Sequence, residues 1–168
     1  MKTRYMLTLE DVQTILAAAR ARAEAHGWAV TIAVTDDGGH LLGLLRLDGA
    51  SPSTAYMAPE KARTAALGRK ESRLYEESIN RGRMSMLSAP VLQGMVEGGL
   101  PVVVDGEVIG AVGVSGVNPS DDLQVAHSGV EALRSSCDSL GLCGFGPGAE
   151  SAADDAAIVL GYQHRSGA

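Results

Sequence analysis

The sequence predicts an α+β domain of the profilin-like kind, with an antiparallel β-sheet and helices packed on its faces. Two Asp-Gly turns, at residues 37–38 and 105–106, each separate two apolar runs rich in β-branched residues, which is the pattern of a β-hairpin. Stretches of helical periodicity lie between and around these hairpins. Because the first sheet unit is a hairpin and not a βαβ crossover, the pattern argues against a Rossmann domain. A length of 168 residues suits one domain with its own core.

The first helix is predicted between Thr8 and Gly27. Residues 8–11 resemble a capping box with Thr8 as the N-cap, and Gly27 is a natural C-terminal stop. The apolar residues between them follow helical spacing and are Val12, Ile15, Leu16, Ala19 and Ala23. The β-branched run at 30–35 then predicts a strand, and residues 40–47 form the returning strand of the hairpin.

A second helical pattern covers residues 53–68 and contains Pro59. A proline inside a helix removes a hydrogen bond, so the helix either begins near Ala58 or bends at Pro59. Residues 70–81 predict a further polar helix, and residues 91–96 a strand. Residues 102–104 and 108–114 form the second hairpin. The last core helix follows a turn at 118–122, and its predicted core residues are Val125, Ala126, Val130 and Leu133.

Composition excludes several classes of protein. The net charge is −6 without a basic stripe, and the chain has one Trp, one Phe and four Tyr, so we expect no nucleic-acid partner. No apolar run approaches the roughly 18 residues of a membrane span. Because no apolar segment follows the positive N-terminal residues, we expect a cytoplasmic protein. Cys137 and Cys143 lack the partner cluster of a zinc site and are expected to be reduced thiols.

The order and spacing of several sequence segments together make a specific family signature. These segments are residues 32–41 (IAVTDDGGHL), 46–50 (RLDGA), 61–65 (KARTA), 98–101 (GGLP) and 108–116 (VIGAVGVSG), with an Asp pair at 121–122. In these segments the chain resembles the GlcG/HbpS family, which includes the C-terminal domain of PduO-type proteins. The resemblance covers roughly residues 8–134. We therefore expect a GlcG/HbpS-like domain over residues 1–134 and a Gly/Ser-rich C-terminal extension over residues 135–168.

The resemblance implies a profilin-like fold, homo-oligomers from dimer to octamer, and a bound haem or related tetrapyrrole as in some members. Other members act in catabolic pathways. Two features depart from the family pattern: Pro59, and the stretch from Met84 to Gln93. Both are expected near the ligand pocket, where a departure would change the ligand.

Two histidines are candidates for the site. His26 ends the first helix, and the resemblance implies a haem ligand in that helix. The alternative is a C-terminal histidine stabilised by the helix dipole. His40 begins a strand after two glycines and is either an acid/base or ligand residue or merely exposed. Gly116 is expected to permit close backbone approach to a ligand or a neighbouring strand.

Polar residues on the second strand and second helix complete the candidate set. Arg46 and Asp48 point to the same side of a strand. They either pair with each other, or Arg46 faces a ligand carboxylate. Lys61 and Thr64 lie on one helical face. Lys61 is a base, a Schiff-base amine or a carboxylate partner, or it closes a salt bridge to Asp48 or Asp36.

Two main functional hypotheses follow from these residues and from the resemblance. The first is an oligomeric small-ligand-binding protein that holds haem or a related tetrapyrrole, with His26 on the iron and Arg46 or Lys61 on the carboxylates. The second is a cofactor-independent enzyme, an isomerase, lyase or hydrolase, that acts on a small organic acid or carbonyl compound in a catabolic or biosynthetic pathway. Lys61, His40 and Asp48 would then be catalytic. A third reading is an accessory protein that functions through its oligomeric surface.

Overall fold

The computed structural model describes residues 4–140, apart from the side chains of residues 137, 138 and 140. The loop predicted at 141–148 and the helix predicted at 152–160 lie outside the described residues, as does Cys143. In chain order the elements are α1 (Leu9–Ala25), β1 (Thr31–Asp36), β2 (Leu41–Arg46), α2 (Thr54–Gly68), α3 (Arg73–Asn80), a 3-10 helix (Met84–Ser88), β3 (Gly99–Val104), β4 (Glu107–Ser115) and α4 (Pro119–Leu140).

The four strands form one antiparallel sheet in the order β2-β1-β4-β3. Alternate residues of a strand face opposite sides, and the two faces of this sheet carry different helices. On one face Ile32 and Val112 join the main core with Ile15 of α1 and Val125 of α4. On the other face α2 packs against β1, β3 and β4. The predicted α+β class is therefore confirmed, with helices on both faces of the sheet.

Helix α1 follows its sequence signals closely. Thr8 is the N-cap, and its side chain accepts a hydrogen bond from the Asp11 N–H while the Asp11 carboxylate accepts one from the Thr8 N–H. Gly27 has a φ of 66° and follows the helix, where the left-handed conformation favours glycine. The predicted capping box and stop are both confirmed. They place His26 and Trp28 at the end of the helix.

Small residues let α2 lie close to the sheet. Ala111 of β4 packs against Ala65 and Ala66 of α2 in a small cluster of its own. Gly113 leaves no room for a side chain, because a Cβ there would overlap the Ala58 carbonyl oxygen and the Ala62 nitrogen. The alanine-rich sequence of α2 is therefore explained by packing density as well as by helix propensity.

Three expectations about the middle and end of the chain need revision. Helix α2 begins at Thr54 and runs through Pro59, so a start near Ala58 is wrong. The predicted strand at 91–96 is also wrong: this segment stays irregular, because Gly94 donates its N–H to Thr64 Oγ1 on α2 and not to a strand. Helix α4 runs to Leu140, across the predicted boundary at 134/135, and the division into two regions stays a prediction.

Candidate functional site

Lys61 lies in the interior, between α2 and the start of α4. Its Nζ donates to Asp122 Oδ2 at 2.8 Å and to the Val114 carbonyl oxygen at 2.9 Å. The side chains of Lys61 and Asp122 are 4% and 2% exposed. Burial raises the pKa of Asp122, and the hydrogen bond and positive charge of Lys61 offset part of that rise. The pair therefore joins α2, β4 and α4 through one buried contact.

This contact corrects the expected partners of Lys61. The predicted salt bridge to Asp48 or Asp36 is wrong, because Lys61 pairs with Asp122. Thr64 is also fully buried, and its hydroxyl accepts from the Gly94 N–H at 3.0 Å. Neither side chain lines any of the three clefts described below. Both hold α2 against its neighbours.

A first cleft, here called the Trp28 cleft, lies where α1 ends beside strand β2. Its volume is about 480 Å³. The lining residues are Arg20, Glu24, Gly27, Trp28, Ala29, Leu45, Arg46, Leu47 and Asp48. The structure thus brings the predicted Arg46 and Asp48 together in one cleft. It adds the only tryptophan of the chain and a second arginine, which the sequence did not single out.

His26 is not one of the residues that line the Trp28 cleft, but it adjoins two of them, Gly27 and Trp28. Its ring stacks on Trp28, with 4.4 Å between centroids and 24° between planes. Its Nδ1 lies 3.0 Å from the Arg22 carbonyl oxygen. A carbonyl only accepts, so Nδ1 carries a proton, and Nε2 is the ring nitrogen left for a ligand. Metal-binding histidines are commonly held in this way by a backbone carbonyl.

The other predicted residues near this cleft have simpler surroundings. Arg46 does not pair with Asp48. Its Nε and Nη2 donate to the Ala50 carbonyl oxygen at 3.1 and 2.6 Å. Within the described part of the chain, Asp48 has no side-chain hydrogen bond or ion pair. Gly116 approaches the backbone just before β1, because a Cβ there would overlap the Ala29 carbonyl oxygen and the Val30 Cα.

A second cleft, here called the His40 cleft, lies between the β1–β2 turn and α2. Its volume is about 320 Å³, and it is lined by Gly38, Gly39, His40, Glu60, Arg63, Leu67, Pro90, Val91 and Gln93. Pro90, Val91 and Gln93 belong to the stretch from Met84 to Gln93, which was expected to lie near a ligand pocket. His40 lies here while Asp48 lies in the other cleft and Lys61 is buried. The structure therefore does not bring together the three side chains predicted to be catalytic.

A third cleft, of about 630 Å³, lies around the β3–β4 turn. Its cationic groups already have partners. Arg4 pairs with Asp37, and Arg69 donates to the Val108 carbonyl oxygen at 2.9 Å. Because these cationic groups already contact other parts of the protein, the volume of this cleft is not enough to make it a candidate ligand site. Among the described residues, no cluster of three or more His, Cys, Asp or Glu side chains could hold a metal ion.

Comparison with known proteins gives a consistent result. The profile of the family described as "Haem degrading protein HbpS-like" matches residues 7–131. Protein GlcG of Escherichia coli K12 is 54% identical over 115 residues, which are 68% of this chain and 85% of that protein. An uncharacterised 15.0 kDa protein of Citrobacter freundii, from the dhaT-dhaS intergenic region, is 30% identical over 133 residues, covering 76% and 92% of the two chains.

Solved structures show the same architecture. Streptomyces reticuli HbpS, as a double mutant, superposes with a TM-score of 0.72 at 30% identity and covers 79% of this chain and 90% of its own. Klebsiella pneumoniae ORFY gives a TM-score of 0.73 at 28% identity, covering 79% and 94%. A complex of PduOC with haem gives 0.68 at 25% identity, covering 76% and 95%.

Proposed function

The chain belongs to the HbpS-like family, and on that basis we propose that it is a small-ligand-binding protein that takes haem or a related tetrapyrrole in the Trp28 cleft. The family match and the likeness to a haem complex support the class of ligand. The observation that carries the choice of cleft is the orientation of His26, whose Nδ1 is tied to a backbone carbonyl while its Nε2 stays open. An axial ligand to haem iron needs that arrangement.

The other residues of the Trp28 cleft suit the remaining parts of a tetrapyrrole. Trp28, Leu45 and Leu47 give a flat or apolar wall for the ring. Arg20 and Arg46 supply positive charge for propionates. Each keeps N–H groups beyond those used for Glu24 and Ala50. Haem, when bound, would supply the redox and oxygen chemistry of its iron, whereas these residues would bind and orient it.

Titration of the purified protein with haemin tests this proposal. We expect a saturable Soret band with a fixed stoichiometry, and we expect His26→Ala to abolish it or weaken binding by at least about tenfold, since the axial ligand is lost. His127→Ala is the matched control, because His127 is exposed on α4. A band that stays unchanged in His26→Ala, or one that never saturates, would contradict the proposal.

The edge strand β2 supports a homo-oligomer. Leu41, Leu42 and Leu44 are 52%, 41% and 39% exposed. Leu44 lies opposite Ala33, on the face that α2 only partly covers. An exposed apolar edge strand is open to pairing with another chain. We propose that a second copy of this chain covers it.

We expect Leu42→Glu/Leu44→Glu to convert the oligomer to a smaller species, because a charge on each leucine position opposes burial. Sedimentation velocity measures the mass of each variant. Leu87→Glu is the control, since Leu87 is 58% exposed but lies on the 3-10 helix. A wild-type protein that sediments as a monomer would contradict the proposal, as would a double variant of unchanged mass.

Within residues 4–140, no helix is long and apolar enough to cross a bilayer. A cytoplasmic location and a place in a catabolic pathway stay predictions.

A further inference from the structure

We propose that the His40 cleft is a second ligand site, which binds a small carboxylic acid that carries a hydroxyl group on the neighbouring carbon. This goes beyond the proposed haem function, because the His40 cleft and the Trp28 cleft share no lining residue. Its volume of about 320 Å³ is at the lower end of the range of roughly 300–1,000 Å³ for ligand pockets. The site therefore suits a small acid and not a macrocycle.

Arg63 provides the group that recognises the carboxylate. Its Nε donates to the Gly39 carbonyl oxygen at 3.3 Å, and its Nη1 donates to Glu60 Oε1 at 2.8 Å. A guanidinium has five N–H groups, and no partner within the described residues takes the other three. The contacts to Gly39 and Glu60 fix the plane of the guanidinium. The free N–H groups on Nη1 and Nη2 then form a fork that matches the two oxygens of a carboxylate.

His40 provides the group that recognises the hydroxyl. Its Nδ1 lies 3.0 Å from Asp36 Oδ2 and 3.2 Å from Asp36 Oδ1. Burial alone would raise the pKa of Asp36, but hydrogen bonds from His40 and Gly38 and the charge of His40 hold it below its usual value. Asp36 is thus an ionised acceptor at neutral pH, so Nδ1 of His40 carries a proton. Nε2, the ring nitrogen that does not contact Asp36, is left to form a hydrogen bond with the hydroxyl group.

The remaining residues of the His40 cleft suit a ligand that carries both a carboxylate and a hydroxyl group. Glu60 Oε2 is buried and has no hydrogen-bond partner among the described residues. A buried acceptor without a donor is unfavourable, so Glu60 Oε2 offers a hydrogen bond to a hydroxyl group or water bound in this cleft. Leu67, Pro90 and Val91 form the apolar side, which suits the carbon skeleton of a small acid and excludes a second charge.

The test is a titration of the full chain with lactate at constant ionic strength, followed by amide chemical shifts. Propionate lacks the hydroxyl of lactate, and propane-1,2-diol lacks its carboxylate. We expect saturable lactate binding with shifts at the His40 cleft. We expect about fivefold weaker binding of propionate, from the loss of one neutral hydrogen bond, and no binding of the diol.

Variants separate this site from the Trp28 cleft. We expect Arg63→Gln to weaken lactate binding by at least about tenfold, and Arg63→Lys to weaken it too, since an ammonium has no fork. We expect His40→Phe to remove the preference for lactate over propionate. Arg20→Gln, in the other cleft, is the control and should leave lactate binding unchanged. The proposal is overturned if lactate does not bind saturably, if propionate binds equally well, or if Arg20→Gln weakens binding as much as Arg63→Gln. Haemin titration of Arg63→Gln reports on the other proposal independently, and we expect it to match the wild type.

Discussion

Lys61→Met is expected to lower the free energy of unfolding by about 3–5 kcal/mol at neutral pH, as measured by urea denaturation. Lys61 Nζ is the cation that pairs with Asp122, and both side chains are almost fully buried. Methionine matches the length of the lysine stem, so the change leaves little cavity but removes the charge. It therefore leaves an uncompensated carboxylate in the interior, and the Val114 carbonyl oxygen loses a donor.

Two controls identify the buried charge as the cause. In Lys61→Met/Asp122→Leu both charges are absent, so we expect most of the lost stability to return. The deficit of the single variant should also shrink at acidic pH. Without Lys61, the folded-state pKa of Asp122 rises further above its unfolded value. The folded protein with protonated Asp122 therefore keeps its stability at low pH and loses it as the pH rises through the folded-state pKa. A deficit under about 1 kcal/mol, or one independent of pH, would contradict this account.

The fold was largely predictable because its signals are local. The hairpins follow from Asp-Gly turns, and α1 follows from a capping box and a terminal glycine, each within a few residues. The core residues of α4 follow from helical spacing and are buried as predicted. The strand predicted at 91–96 was wrong, although the apolar residues of this segment resemble those of a strand. A single contact between Gly94 and Thr64, 30 residues away, ties it to α2 instead.

The candidate sites were less predictable because their partners are distant in sequence. Asp122 had a local explanation as a first-turn residue of α4, and nothing near it indicated Lys61, which lies 61 residues earlier. The role of Arg63 depends on α2 packing beside the β1–β2 turn. The Asp36–His40 pair is different, because its two residues are only four apart and lie on either side of one turn. The predicted hairpin could therefore have indicated this contact.

Gly113→Ala is expected to lower the free energy of unfolding by about 3 kcal/mol, at the upper end of the cost of overpacking a core. The added methyl group would meet the Ala58 carbonyl oxygen, the Ala62 nitrogen and the Ala62 side chain. Two of these are backbone atoms of α2, so no rotamer change can relieve the overlap. The helix must move away from the sheet and lose contact with Ala111.

Gly106→Ala is the matched control, since Gly106 lies in the same hairpin with nothing within 4 Å of an added Cβ. Its φ of 77° places it in the left-handed region, so alanine there costs about 1–2 kcal/mol through the backbone alone. Urea denaturation of both variants separates packing from backbone strain. A loss in Gly113→Ala no larger than that in Gly106→Ala would contradict close packing of α2. A larger loss, by contrast, would mean that the small residues of β4 set the position of α2 against the sheet. Because Lys61 and Arg63 both lie on α2, those residues would also set how deeply Lys61 is buried and where Arg63 lies in the His40 cleft.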